Sequence, residues 1–297
     1  MNRWSRVWDD PVLNKEFRQR MRFARTPWIL FLYLGAMGLL IFTYMLILQE
    51  KKDFLDPEMN RMLLMGLALI QLLVLSFVVP GLTAGTISGE RERQTLSVLL
   101  TMPLSSGGII LSKWCASLAF VFLLIIASLP LYTAVFLFGG ISPGELLYTF
   151  LHLLVTVCFL GGLGIFFSSL IRRTGVAMVT TYGAVALILV GIPVALFLIA
   201  LFYDRFLDTS LQDIPLPIEL LSGLHPVITQ LAVFYGHQMG LDQQWRIDIY
   251  WLYVSAYALL TVGLLVAASY FLSPARWKKW SFFSSRGSLK KGPKDPG

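Results

Sequence analysis

The side chains with chemistry to offer sit in a few short blocks. Glu90-Arg91-Glu92-Arg93 opens what reads as a short helix, whose carboxylates suit the positive end of its dipole. Glu145 and His152 are seven residues apart and so share one helical face. A proton relay or a ligand contact would need such a pair, but a hydrogen-bonded packing histidine near the outer interface accounts for His152 without any reaction. His225 and His237 lie twelve apart in an acidic segment, a spacing that fits no short metal site. Cys115 and Cys158 fall inside apolar runs, are too few for a disulfide framework, and read as packing residues. G-x-x-x-x-G-K-[ST], H-E-x-x-H and G-x-S-x-G are all absent from the sequence. The chain therefore has no phosphate-cradling P-loop, no zincin helix and no nucleophile elbow.

The elements that must position these residues are membrane spans. Apolar residues make up 56% of the 297 and charged residues 14%, against roughly 45–50% and about 25% in soluble domains. The charges are crowded into blocks separated by long apolar runs. About 20 apolar residues cover the roughly 30 Å hydrocarbon layer at 1.5 Å each. Six runs meet that length: Trp28 to Leu48, Met62 to Ile87, Trp114 to Phe138, Leu146 to Leu170, Val176 to Phe202 and Ile249 to Leu272. They are apolar all round rather than alternating, which excludes barrel strands. A soluble enzyme, a disordered chain and a nucleic-acid binder are excluded too, and the net charge of +7 needs no nucleic acid to explain it. No cleavable signal peptide is visible, because the first apolar run is too long for one. The expected fold is an all-α integral membrane protein with six transmembrane helices spanning 28–272.

Nineteen of the 24 Lys and Arg residues fall on one face of this layout and five on the other. The positive-inside bias makes both termini cytoplasmic. Residues 1–27 read as a cytoplasmic interfacial helix: Asp10-Pro11 starts it, and Leu13, Phe17, Met21 and Ala24 form one apolar stripe. Lys15, Arg18, Arg20, Arg22 and Arg25 flank that stripe and would meet anionic lipid head groups. The cytoplasmic loop 88–113 continues from its charged start into Leu96, Val98, Leu99 and Leu100 and stops at Pro103. A helix this short is marginal alone in water, so it must dock on the bilayer edge, its own bundle or a partner. The external segment 203–248 holds apolar stretches too short to cross, which suit re-entrant helices before the last span. The basic tail, 273–297, would lie against the inner leaflet. Inside the six runs there is no Asp, Glu, Lys or Arg; Glu145 lies just ahead of the fourth. A charge near mid-bilayer costs about 2.5–3.5 kcal/mol and is kept mainly where ions are handled, so ion-driven transport is disfavoured.

The loop Glu90-Arg91-Glu92-Arg93-Gln94-Thr95-Leu96, with Leu99-Leu100, Pro103-Leu104-Ser105, Ile109-Ile110 and Ser112-Lys113, resembles the E-R-E-x-G-T-L-x-x-L-L-x-x-P start of ABC-2 type ATP-binding cassette permeases. Asp10-Pro11-Val12-Leu13-Asn14-Lys15-Glu16-Phe17-Arg18 is similar to the N-P-x-x-x-K-E-x-R opening of that family. Gln94 stands where the family has Gly, and Ser112 replaces the Gly before Lys. The resemblance implies a coupling helix between the second and third spans. Glu90, Arg91, Glu92, Arg93, Thr95, Leu96, Leu99, Leu100, Pro103 and Lys113 would couple to a separate ATPase subunit. That partner would hold ATP and Mg, leaving this chain with no cofactor of its own. A second permease chain, identical or related, would complete the pathway in the cell membrane. Export is implied by the family, and walls of Leu, Ile, Val and Phe suit an amphipathic or lipid-like cargo. Two other readings are a scaffold or sensor subunit that moves nothing, and a lipid-modifying enzyme. The enzyme would need paired carboxylates or a Ser–His pair at one depth, and none is evident.

The topology makes a direct prediction. In a Cys115→Ser/Cys158→Ser background, an Arg93→Cys thiol reacts with an impermeant maleimide only after cells are permeabilised, and an Asp242→Cys thiol reacts in intact cells. The reverse pattern would invert the chain.

Overall fold

The computed structural model describes residues 25–51, 57–96, 105–137, 139–206, 216–235 and 248–273. Every regular element among them is helical: α1 (Arg25–Lys51), α2 (Pro57–Thr83), α3 (Ser88–Glu92), α4 (Ser106–Phe136), α5 (Pro143–Leu170), α6 (Thr174–Ala186), α7 (Ile192–Phe206), α8 (Leu216–Gly223), α9 (Pro226–Tyr235) and α10 (Ile249–Leu272). A π-helical turn, Leu187–Gly191, joins α6 to α7. The expected interfacial helix, with Lys15, Arg18, Arg20 and Arg22, lies outside the described residues, as do the basic tail, Leu99, Leu100, Pro103 and His237.

Among the described residues five helical stretches are long and apolar enough to cross a membrane: Pro57–Glu92, Ser106–Phe136, Pro143–Leu170, Thr174–Tyr203 and Ile249–Leu272. In α1 the corresponding apolar stretch is Leu30–Leu46. The pair α8 and α9, bent by 92° at its break, would reach the length of one further span if taken together. By length and composition the protein is thus a bundle with five to six crossing candidates. The bend falls at Leu224-His225 before Pro226, whose ring presets the first turn of α9.

Several helices begin before their apolar runs, because caps and not hydropathy set where a helix starts. Ser105 accepts a bond from Gly108 N (3.1 Å) and starts α4 eight residues ahead of Trp114. Ser142 and Glu145 form a reciprocal capping box around Pro143 at the start of α5. Asp248 caps α10 through Tyr250 N and Trp251 N.

The bundle is built around α5, which packs on α2, α4, α6 and α10. The main core joins Leu72, Leu75 and Val79 of α2, Leu118 and Val121 of α4, Leu153, Val157 and Leu160 of α5, and Tyr253 and Tyr257 of α10. A second core closes α1 onto α2 and α4 through Met37, Leu64, Leu67, Leu124 and Tyr132. One set of buried polar groups here is tied together across two helices. Tyr132 OH donates to Gln71 Oε1 (2.6 Å), and Gln71 Nε2 donates to Ser128 Oγ (3.0 Å). In hydrocarbon such bonds join helices, since neither partner has water to turn to. The α6–α7 rod is held differently: α6 packs on α5 through Ala177, Thr181 and Val185, whereas α7 lies mostly outside the bundle. Val179, Leu187, Val190, Phe197 and Leu198 face outward from it.

Close approach of α2 and α5 depends on Gly164. A Cβ built there would lie 2.0 Å from Thr83 Oγ1 and 2.8 Å from Thr83 Cβ. Gly164→Ala should therefore destabilise the detergent-solubilised protein by about 1–3 kcal/mol, the range for overpacking a filled core. Gly183→Ala, at a helical glycine with nothing within 4 Å, should leave the thermal midpoint unlowered or raise it slightly, since Ala favours the helix over Gly by up to about 1 kcal/mol.

Candidate functional site

The chain leaves α2 at Thr83, turns through residues 84–87 and enters the five-residue helix α3. A turn at this depth exposes backbone donors that need partners. Ile87 N and Ser88 N both donate to Ser168 Oγ on α5 (2.9 and 3.0 Å), a single hydroxyl satisfying two of them. Gly85 lets the turn lie close to α6, where a Cβ would meet Thr174 and Met178 at 3.2 Å.

Two carboxylates then leave α3 in different directions. Glu90 Oε1 accepts from Lys113 Nζ on α4 at 2.6 Å, and the lysine side chain is only 3% exposed. Glu92 reaches α6, where its two oxygens accept from Thr174 N (2.9 Å) and Thr174 Oγ1 (2.7 Å). These bonds, with the Arg173 charge, hold the Glu92 carboxyl below its ordinary pKa. A carboxylate lowered on folding stabilises above its unfolded pKa and loses that contribution as pH falls through the folded value, so this cap persists at neutral pH. Arg91 is half-buried beside Arg172; burial first, then that like charge, lowers its pKa.

Beyond α3 the chain reverses. Gln94 N donates to Arg91 O, Thr95 N donates to Glu90 O, and Gln94 takes φ +58°. That left-handed conformation favours glycine, which explains why the motif of the resembling family carries Gly at this position. Leu96 then turns into the bundle and is buried with Ile87, Ile109, Ile110, Ile165, Ala268 and Leu272. Of the three docking possibilities left open by sequence, Leu96 takes the chain's own bundle. Arg93, Gln94 and Thr95 remain exposed.

The structure thus gathers Glu90, Glu92, Leu96 and Lys113, and Arg25 is the first residue of α1. Sequence reasoning missed Ser168 and Thr174. Thr174 carried a faint signal, a hydroxyl residue opening an apolar run after Arg172-Arg173; Ser168 carried none.

The other polar candidates resolve into structural roles. Glu145 pairs with Arg61 on α2 (2.8 Å) while serving its own helix cap. His152 is fully buried and stacked on Tyr253, ring centroids 4.5 Å apart. The Pro226 backbone approaches its ring, yet neither nitrogen makes a hydrogen bond of normal geometry, so it packs without the expected bond. His225 Nε2 meets Leu189 O (3.2 Å) and its Nδ1 accepts from Ile228 N (3.2 Å), which uses both nitrogens. Both cysteines are free thiols.

Burying an ammonium beside a carboxylate gives an asymmetric prediction. Glu90→Gln alone leaves the Lys113 charge buried without that counter-charge and should lower stability by about 1–3 kcal/mol, below the range for fully buried pairs because Glu90 is 27% exposed. Glu90→Gln with Lys113→Met, which removes both charges, should recover most of that loss in thermal unfolding. Equal losses would show that the pair is not coupled.

Among curated proteins none matches the chain. A family model described as ABC-2 family transporter protein matches residues 11–280, which takes in every helix from α1 to α10. A match of that extent over an apolar helical bundle, with the loop motif folded into a joint between α2, α4, α5 and α6, places the molecule among multi-pass membrane components of transport systems: the chain belongs to the ABC-2 transporter family.

Proposed function

We propose that the protein is the permease subunit of an ATP-binding cassette exporter, worked by a separate ATPase subunit that binds ATP and Mg. The observation that carries this reading is the character of α3. It is a charged helix at the edge of an apolar bundle, tied by Ser168, Lys113 and Thr174 to three different long helices. Arg93, Gln94 and Thr95, which follow it, are exposed. A force applied there would be delivered to α4, α5 and α6 together. Export and a nucleotide-binding partner are expectations drawn from membership of the family.

In this reading the end of the bundle that carries Glu90 faces the cytoplasm of a plasma-membrane protein with both termini inside. Glu90, Arg91, Glu92, Arg93, Thr95, Leu96, Leu99, Leu100, Pro103 and Lys113 form the coupling region. Residues 1–27 lie in the interface with their basic residues on lipid head groups. The outward apolar face of α6–α7 supports a second permease chain across the pathway, because two half-pathways meeting there would enclose it. The long helices carry their charged side chains near their ends, Arg61 with Glu145 and Lys113 with Glu90. A path walled by Leu, Ile, Val and Phe suits an amphipathic or lipid-like substrate better than an ion.

The coupling role is testable at Arg93, which is exposed, together with Leu99. Arg93→Glu combined with Leu99→Ala should abolish co-purification of the ATPase, or lower ATP hydrolysis by the reconstituted complex at least tenfold, with the permease still inserted. Unaltered binding together with unaltered hydrolysis would overturn the assignment.

A further inference from the structure

The helix α6 starts without a cap of its own. Its N-cap residue, Arg173, has the extended conformation of a cap (φ −94°, ψ 125°) but makes no side-chain hydrogen bond to the first turn. That position ordinarily holds Ser, Thr, Asp or Asn. Here the acceptor comes from Glu92, 82 residues earlier, which takes both the backbone N–H and the hydroxyl of Thr174 on its two oxygens. The start of α6 is therefore defined by the position of α3.

The two sides of this joint are held with unequal strength. On one side, α3 is anchored to the enclosed part of the bundle, through Ser168 on α5 and Lys113 on α4. On the other side, α6 packs on α5 and α2 through Ala177, Thr181 and Val185, while α7 leaves most of its apolar surface outside the bundle. Polar contacts along the rod therefore weigh more. Tyr182 OH donates to Phe77 O on α2 (2.9 Å). At the π-helical turn, Leu189 O is met by His225 Nε2 from the bent pair α8–α9 (3.2 Å). A π-turn shifts the backbone register and recurs where helices must give. The rod is thus gripped at its first residue by α3 and near its middle by α8–α9.

We propose that Glu92 is the positioning residue that transmits displacement of the Ser88–Glu92 helix to α6–α7, acting as a cap lent across the joint. The inference rests on the permease reading, since it supposes a motor that moves α3. The joint is solvent-exposed, so its worth lies in direction more than in stability: two bonds from one carboxylate fix both the distance and the angle at which α3 meets α6.

A local cap separates this role from simple helix stabilisation. Glu92→Ala removes the joint, and Arg173→Ser places a capping hydroxyl on α6 itself. The double variant should keep the thermal stability of the parent while losing the mechanical link. The measurement is electron–electron spin distance between labels at Val190→Cys on the rod and Ile126→Cys on α4. Both positions are exposed, and the label background carries Cys115→Ser and Cys158→Ser. It is made on the complex with its ATPase, without nucleotide and after trapping with ATP and vanadate. In the parent, trapping should shift the distance distribution; in Glu92→Ala/Arg173→Ser the shift should disappear. The milder Thr174→Val, which keeps the backbone bond and deletes the hydroxyl one, should reduce it. A full shift in both variants would overturn the inference, as would a parent that traps nucleotide without any shift. A parent that binds no ATPase would instead overturn the permease reading itself.

Discussion

Lys113 is the constraint from which the rest of the site follows. An ammonium taken almost completely out of water at the end of an apolar helix needs a carboxylate against it, and Glu90 supplies one at 2.6 Å. That pair fixes where the chain must run after α2, and the Ile87 and Ser88 amides then fall on Ser168. With α3 pinned in this way, Glu92 faces the first residue of α6, and Leu96 turns back into the apolar pocket around Ile109 and Leu272. Four helices therefore meet at one polar joint, at the edge of the bundle.

The contrast between α5 and α6–α7 gives the bundle two kinds of part. The glycines of α5 allow α2 and α4 to close on it, with Gly161 against Leu118 and Gly164 against Thr83. Aromatic side chains of α10 pack along another face, Phe159 against Tyr257 and His152 against Tyr253. The α6–α7 rod instead presents most of its apolar surface outward and carries a π-helical turn at mid-length. A molecule that alternates between two shapes is served by such a division between an enclosed body and an element packed along one face only.

Much of this was legible in the sequence. Long apolar runs without charges can only be buried or lipid-facing helices, so the bundle followed from hydropathy. The Glu90 loop was legible because charges, apolar residues and a proline succeed one another there in a helix-start and helix-stop order. Helix starts were placed too late wherever a Ser cap stood outside the apolar run, as at Ser105 and Ser142. The partners at the joint were not legible at all. Ser168 and Thr174 lie about 80 residues from the amides and carboxylate they serve, and only the folded backbone brings them together. His152 shows the opposite case. A lone histidine in a span reads as a packing residue, and it is one, stacked on Tyr253 in a fully enclosed site with the Pro226 backbone against its ring.

The central claim is that a nucleotide-driven partner grips this bundle at the Glu90 end, and composition of the native complex tests it most directly. The full chain, solubilised from its own membranes in mild detergent and purified through an affinity tag, can be weighed intact by native mass spectrometry. The account predicts permease chains together with ATPase subunits carrying a G-x-x-x-x-G-K-[ST] sequence in fixed ratio. A permease that emerges by itself, or with partners that bind no nucleotide, would contradict it.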